Sequence, residues 1–342
     1  MAQSLITMHP AVKIMGPDLP IGYLKDPIVY FINPVSDSRV TLPSQLSVAS
    51  PGNDRHDFFY KVVASSAPTE QQQRRCLVAA IAPGPKNSEL VEVRRELVIC
   101  TPYHKSWTKI RFAEKNHKFF FCDIEIIDRK LYATTKNLLM VFHIIEMDFE
   151  DGDGHYLCYK LVEKVTLHND KRPVNWVYEY WGLDKERYME IFEAGPYLVK
   201  DATSKELFVI FRDVSLLRSL PITYCTEGFR VLKLQENCDG NSSRLVEVSD
   251  LGDRIMFLSK FSNQLMISSC NGVSGSDDET SLKRNCIYFA FNWPGVKLPG
   301  GDFGEFSLTN KKVMPLTFPE DQYPAELFFG STAWFNPYIH SD

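Results

Sequence analysis

The tripeptide Asp302-Phe-Gly304 has the residue types with which protein kinases hold a metal ion beside a nucleotide. That chemistry needs a glycine-rich loop over the phosphates and a His-Arg-Asp loop to supply the base. The chain contains neither, so the tripeptide reads as a turn into the strand-like run Glu305-Phe-Ser-Leu308. Asp148-Phe-Glu-Asp-Gly-Asp-Gly154 is acidic enough to suggest calcium. It lacks the alternate-position oxygens and closing Glu of a calcium loop, and reads as a solvated hairpin tip. Gly272-Val-Ser-Gly-Ser276 does not fit the Gly-x-Ser-x-Gly pattern of a nucleophile elbow. The chain thus has no recognisable catalytic motif, and whether it catalyses a reaction stays open.

The eight histidines are isolated, and no His-x-x-x-His spacing offers a metal ligand pair on a helix. His143 ends the apolar run Leu138-Leu-Met-Val-Phe-His143 and reads as a packed or capped residue, with a general base as the alternative. Eight cysteines show neither C-x-x-C pairs nor metal-finger spacing. Most lie in apolar runs such as Val98-Ile-Cys100 and Cys286-Ile-Tyr288, where a thiol acts as a small buried hydrophobe. No metal, cofactor or disulfide is expected. Trp176-Val-Tyr-Glu-Tyr-Trp181 concentrates aromatics at Trp176, Tyr178, Tyr180 and Trp181. Such a run is either a strand with one buried face or an exposed anchor for a partner or small molecule, since large aromatics dominate interface energetics.

Net charge is −5, from 38 basic and 43 acidic residues, and no basic cluster is longer than a pair such as Lys311-Lys312. A grip on a nucleic-acid backbone needs far more clustered Lys and Arg. No run approaches the apolar length of a membrane helix, and the N-terminus lacks the pattern of a secretory signal. No nucleic acid, no membrane, and a cytoplasmic or nuclear location are therefore expected.

Any site must be positioned by short β-type runs. Ile28–Ile32, Arg39–Pro43, Phe58–Val63, Cys76–Ile81, Glu96–Cys100, Cys122–Ile126 and Lys130–Ala133 lie in the first half, with Leu138–His143 and Tyr156–Val162 closing it. Gly195–Val199, Glu206–Phe211, Phe229–Leu234, Arg244–Val248, Arg254–Ser259 and Arg284–Phe291 follow. Many alternate with period two, and Gly, Asp, Asn, Pro or Ser clusters separate them. Gly301–Leu316 reads as strand, tight turn, strand. Helical periodicity is confined to Asp184–Phe192 and Val214–Ser219, which could be short helices. Roughly 20 short strands with almost no helix point to a closed or repeated antiparallel architecture. At ~40–50 residues per four-stranded blade, the chain length corresponds to about seven blades of a single all-β propeller. No linker divides the chain, and Ala67–Arg75 and Gly272–Ser281 read as exposed loops.

These runs, in this order, resemble the propeller of a plant F-box family, the KIB-type propeller, catalogued as domain of unknown function 295. Phe31-Ile-Asn-Pro34 with Val40-Thr-Leu-Pro43 is similar to its opening, Pro102–Trp107 to its Pro-to-Trp turn, and Asp123–Ala133 to its second hairpin. Tyr197-Leu-Val199 with Leu207–Ile210 matches a further pair. Leu251–Leu258, Asn285–Phe289 and Gly304–Leu308 match the closing trio. Arg129 stands where the family often has Gly before Lys.

The resemblance implies a propeller over residues 22–342 after an N-terminal extension, 1–21, and the substrate-recognition half of a ubiquitin-ligase receptor. Family members carry a helical F-box that docks on the Skp1 adaptor. Residues 1–21 show no such helical signature, so adaptor binding is not expected from this chain, and a monomer is. In a propeller, Asp123 would begin an inner strand, as a turn or strand-end residue or as a side chain reaching the channel. Asp123 and His143 are the channel candidates. The competing reading is a small-molecule binder or enzyme recruited from this fold, with its site at the channel mouth.

Overall fold

The computed structural model describes residues 30–32, 39–44, 47–48, 59–66, 76–84, 95–112, 119–148, 155–167, 195–201, 203–217, 223–236, 242–259, 263–267, 282–291 and 302–315. All of the regular structure in these residues is β apart from an isolated helical turn at Ser47. They form two compact units, one up to Leu167 and the other from Gly195 to Pro315.

The first unit opens with a two-stranded ribbon, β1 (Tyr30–Ile32) and β2 (Arg39–Thr41). Two four-stranded antiparallel meanders follow. One contains β3 (Lys61–Ala64), β4 (Val78–Pro83), β5 (Arg95–Cys100) and β6 (Thr108–Lys109). The other contains β7 (Phe121–Ile127), β8 (Lys130–Thr135), β9 (Leu138–Asp148) and β10 (His155–Thr166).

Strand periodicity explains why the first meander is buried on both faces. Ala79, Ile81, Leu97 and Ile99 point into a core shared with Ile124, Ile126, Leu131 and Phe142 of the second meander. The intervening Val78, Ala80, Val98 and Cys100 point the other way, onto Leu42, Phe59 and Trp107. A strand with two buried faces must be apolar at consecutive positions, which is why β4 reads as an unbroken run.

The second unit begins with β11 (Tyr197–Lys200), β12 (Leu207–Leu217), β13 (Thr223–Glu236) and β14 (Ser243–Glu247), again a meander. Its other sheet has five strands: β15 (Arg254–Ser259), β16 (Asn263–Ile267), β17 (Cys286–Phe291), β18 (Asp302–Ser307) and β19 (Lys312–Pro315). Phe208, Ile210, Phe229 and Val231 of the first sheet pack on Met256, Leu258, Ile287, Phe289 and Phe306 of the second. Each such aromatic or branched side chain contributes about 1.5–3 kcal/mol by leaving water.

Three expectations need correction. The five-stranded sheet has the order β16-β15-β17-β18-β19, with β15 parallel to β17, so the architecture is not purely antiparallel. Parallel neighbours need a crossover of a dozen or more residues, and the stretch containing Gly272–Ser281 supplies that length. Val214–Leu217 is not helical but continues β12, paired with β13 past a bulge at Asp213/Val214. A short apolar run carries too few periods to separate helix from strand. The other helix expected, Asp184–Phe192, lies outside the described residues.

The expectation of about seven blades is not met among the described residues, which hold four blade-sized sheets and the ribbon. First strands begin at Lys61, Phe121, Tyr197 and Arg254, so a new sheet starts every 57 to 76 residues. That interval exceeds the ~40–50 residues on which the sequence arithmetic rested. Strands such as β9, β12 and β13, of 11, 11 and 14 residues, and the long connections lengthen each repeat.

Candidate functional site

In the first unit, buried charge collects where β3 and β7 meet. A register shift between Phe121 and Asp123 places Asp123 opposite Thr134, and such bulges re-aim side chains. The Asp123 carboxylate is 2% exposed and forms an ion pair with the Lys61 ammonium, itself 7% exposed. Its Oδ1 also accepts the Ile124 backbone N–H at 2.7 Å, and Thr134 Oγ1 donates to the Asp123 carbonyl at 3.3 Å. Arg95, from β5, donates to the Phe121 carbonyl at 3.2 Å. Its guanidinium lies 4.1 Å from the ring centroids of both Tyr60 and Phe120. A buried cation held by a carboxylate or by aromatic faces is stable only while its partners remain, so this cluster ties one sheet to the next.

Asp123 is thus a structural anion, engaged by Lys61. His143 is exposed on β9, in the cross-strand row Ile127, Lys130, His143, Lys160. The Asp123 row runs through Thr134 and Leu139. Four residues along the strand and two strands across separate the two candidates by about 13 Å and about 10 Å, respectively. They do not form one site.

The second unit has a counterpart that sequence reasoning missed. Arg212 of β12 forms an ion pair with Asp302 at the start of β18. Its Nε donates to Thr226 Oγ1 at 2.8 Å, and that hydroxyl donates to Asp302 Oδ2 at 2.6 Å. The Thr226 N–H donates to Asp302 Oδ1 at 3.2 Å, and Phe291 lies under the guanidinium at 3.9 Å. The aspartate of the kinase-like tripeptide is therefore an anchor between sheets. Its only sequence signal was an arginine inside the apolar run Phe208-Val-Ile-Phe-Arg212.

The second unit has two further polar clusters. Burial alone would raise the Asp201 carboxyl. Hydrogen bonds from Thr203 and Ser204, with the charge of Arg254, outweigh that and hold it below the ordinary aspartate value. Glu206, likewise raised by burial, is brought lower by Lys233 and Arg254. On the opposite face of the five-stranded sheet, Tyr288 donates to Glu305 Oε2 at 3.0 Å, and Lys283 pairs with Oε1 at 3.1 Å.

Burial and the Glu305 charge push the Cys286 thiol up to about 11. Burial, with Glu305 accepting its hydrogen bond, pushes Tyr288 up to about 12. Burial and the neighbouring Cys76 raise Cys100 well above the usual thiol range. Thiols held protonated are poor nucleophiles, so these groups are suited to packing and hydrogen bonding.

Among the described residues, no group of three His, Cys, Asp or Glu side chains is placed to hold a metal ion. The aromatic candidates Trp176, Tyr178, Tyr180 and Trp181 lie outside the described residues. The exposed surface has a different character. Ile145, Met147, Tyr156 and Val162, between 37% and 48% exposed, all lie on the β9–β10 hairpin.

Residues 18–329 match the family model described as KIB1-4 beta-propeller. No curated protein matches this chain. Of the segments that carried the sequence resemblance, the opening falls on β1 and β2, Pro102–Trp107 leads into β6, and the others fall on β7–β8, β11–β12, β15, β17 and β18.

Proposed function

This chain belongs to the KIB1-4 β-propeller family, and on that premise we propose that it is a protein-recognition module, equivalent to the substrate-binding half of an F-box ubiquitin-ligase receptor. The single observation that carries the reading is the fate of its polar groups. Asp123, Arg212 and Asp302 are buried in ion pairs between strands, while apolar and cationic side chains stand exposed on the β9–β10 hairpin. A framework that spends its charges internally and presents an apolar surface is suited to holding a partner. Residues 1–342 do not themselves dock Skp1. Pro10, Pro17 and Pro20 interrupt any helix near the start, because proline lacks a backbone donor and clashes with the preceding turn.

Two measurements test this reading. Purified Skp1 should show no saturable binding to the full chain. A photo-crosslinker on the exposed β9–β10 hairpin should capture a discrete protein that excess unlabelled chain displaces. A stoichiometric Skp1 complex would overturn the adaptor statement. Absence of any displaceable protein would overturn the recognition reading.

A further inference from the structure

His143 is the last residue of β9 with a partner on β8, Lys130, and beyond it the β9–β10 hairpin presents one face of side chains. Met147 lies opposite Tyr156, Ile145 opposite Cys158, and His143 opposite Lys160. Cross-strand partners share one side of a sheet, so Ile145, Met147 and Tyr156 are mutual neighbours in an apolar strip that ends on His143 and Lys160. All five are exposed. Single exposed apolar residues are ordinary, but a contiguous set calls for a reason. Glu146 alternates to the other face, where it pairs with Arg129 at 3.0 Å. Lys130 and Glu163, the latter opposite Val141, are already engaged within the chain. The outward charge of this face is therefore cationic and sits at its Lys160 end.

A sheet offers only side chains from its face, because its backbone N–H and C=O groups lie in the plane of the strands. A segment lying on that face must satisfy its own backbone groups, which an α-helix does and an extended chain does not. Residues two apart on a strand stand about 7 Å from one another, close to the ~6 Å rise between i and i+4 of a helix. From Met147 to His143 the strip runs about 13 Å, a little over two helical turns.

We propose, building on the recognition reading, that this face takes an amphipathic helix of a protein partner. Residues i and i+4 of that helix are apolar and sit on Met147, Tyr156 and Ile145, and an Asp or Glu at i+7 or i+8 meets Lys160 and His143. The reverse chain direction places the acid first. In sequence, the connection after Asp148 carries Glu150, Asp151 and Asp153, so an acid is favoured only at the Lys160 end.

The test is selection, against the full chain, of a phage-displayed library that randomises one face of a helix held in a stable helical scaffold, followed by binding measurements on the enriched helices. These should carry two apolar residues four apart and an acid three or four positions further on, or the reverse order. Lys160→Glu should weaken them about tenfold, the effect of exchanging one attractive surface charge pair for a repulsive one. Changing the helix acid to Lys should restore binding to that variant. Ile145→Ser should also weaken binding, whereas Met314→Ser, exposed on β19, should not. The substituted positions are at the surface, so the variants should fold, and unchanged melting confirms it. Helices that bind Lys160→Glu and Ile145→Ser as tightly as the parent, or no enrichment, overturn this site. The crosslinking capture decides the recognition reading separately.

Discussion

Phe289 on β17 lies directly over Gly304 on β18, its cross-strand partner. A Cβ at Gly304 would stand 2.8 Å from Phe289 Cε1 and 2.9 Å from the Met314 carbonyl oxygen. The glycine of the kinase-like tripeptide is thus explained by space: the ring occupies the place of its missing side chain.

Gly304→Ala should therefore destabilise the protein by about 1–3 kcal/mol, the usual cost of overpacking a filled core. Urea denaturation of the single variant and of Gly304→Ala with Phe289→Leu checks it. The second change should recover part of the loss. A Gly304→Ala protein as stable as the parent would contradict the contact.

Trp107 is 5% exposed, its indole N–H donates to the Pro43 carbonyl at 2.9 Å, and Phe59 packs edge-on at 4.8 Å between centroids. Trp107→Ala should cost about 3–5 kcal/mol. Fluorescence of a variant retaining Trp107 as its sole tryptophan should be poorly quenched by iodide in the folded state.

Breaking the Lys61–Asp123 pair from one side should be worse than removing it altogether. Asp123→Ala leaves a buried ammonium and should lose about 3–5 kcal/mol, whereas Lys61→Met with Asp123→Leu should lie much closer to the parent. Losses of Lys61→Met and Asp123→Leu that simply add in the double variant would show that the pair is not coupled. Double-mutant melting separates the cases.

Asp201 and Glu206 have folded pKa values below their ordinary 3.8 and 4.5. Groups lowered on folding add stability that is complete above the ordinary values and disappears as pH falls through the folded ones. Denaturation midpoints should therefore drop as pH falls below the ordinary carboxylate range. Asp201→Asn should flatten that slope, and an unchanged slope would exclude this contribution.

Asn285 has φ of 55°, in the left-handed region, and its Oδ1 accepts the Leu251 N–H at 2.8 Å while its amide donates to Thr309 Oγ1 at 3.0 Å. Asn285→Gly keeps the backbone freedom and loses the hydrogen bonds, while Asn285→Ala loses both. Alanine should cost about 2 kcal/mol and glycine about 1 kcal/mol, measured by thermal unfolding.

By itself the sequence determined the strands, because alternation and turn chemistry act over a few residues. Phe121–Ile127 and Lys130–Thr135 were readable as a hairpin, and Asp128 and Arg129 between them both take positive φ, as such a tight turn requires. The strand after Asp302 was legible in the same way. Only tertiary structure decided what those strands share. Arg212 finds Asp302 across 90 residues of chain, and Asp123 meets Lys61 on another sheet. The parallel pairing of β15 with β17 depends on a crossover whose path no local pattern encodes. Repeat length also escaped, because strand length and connections are set by packing. Local preference selects each strand, whereas burial of charge and apolar surface against distant segments selects its neighbours.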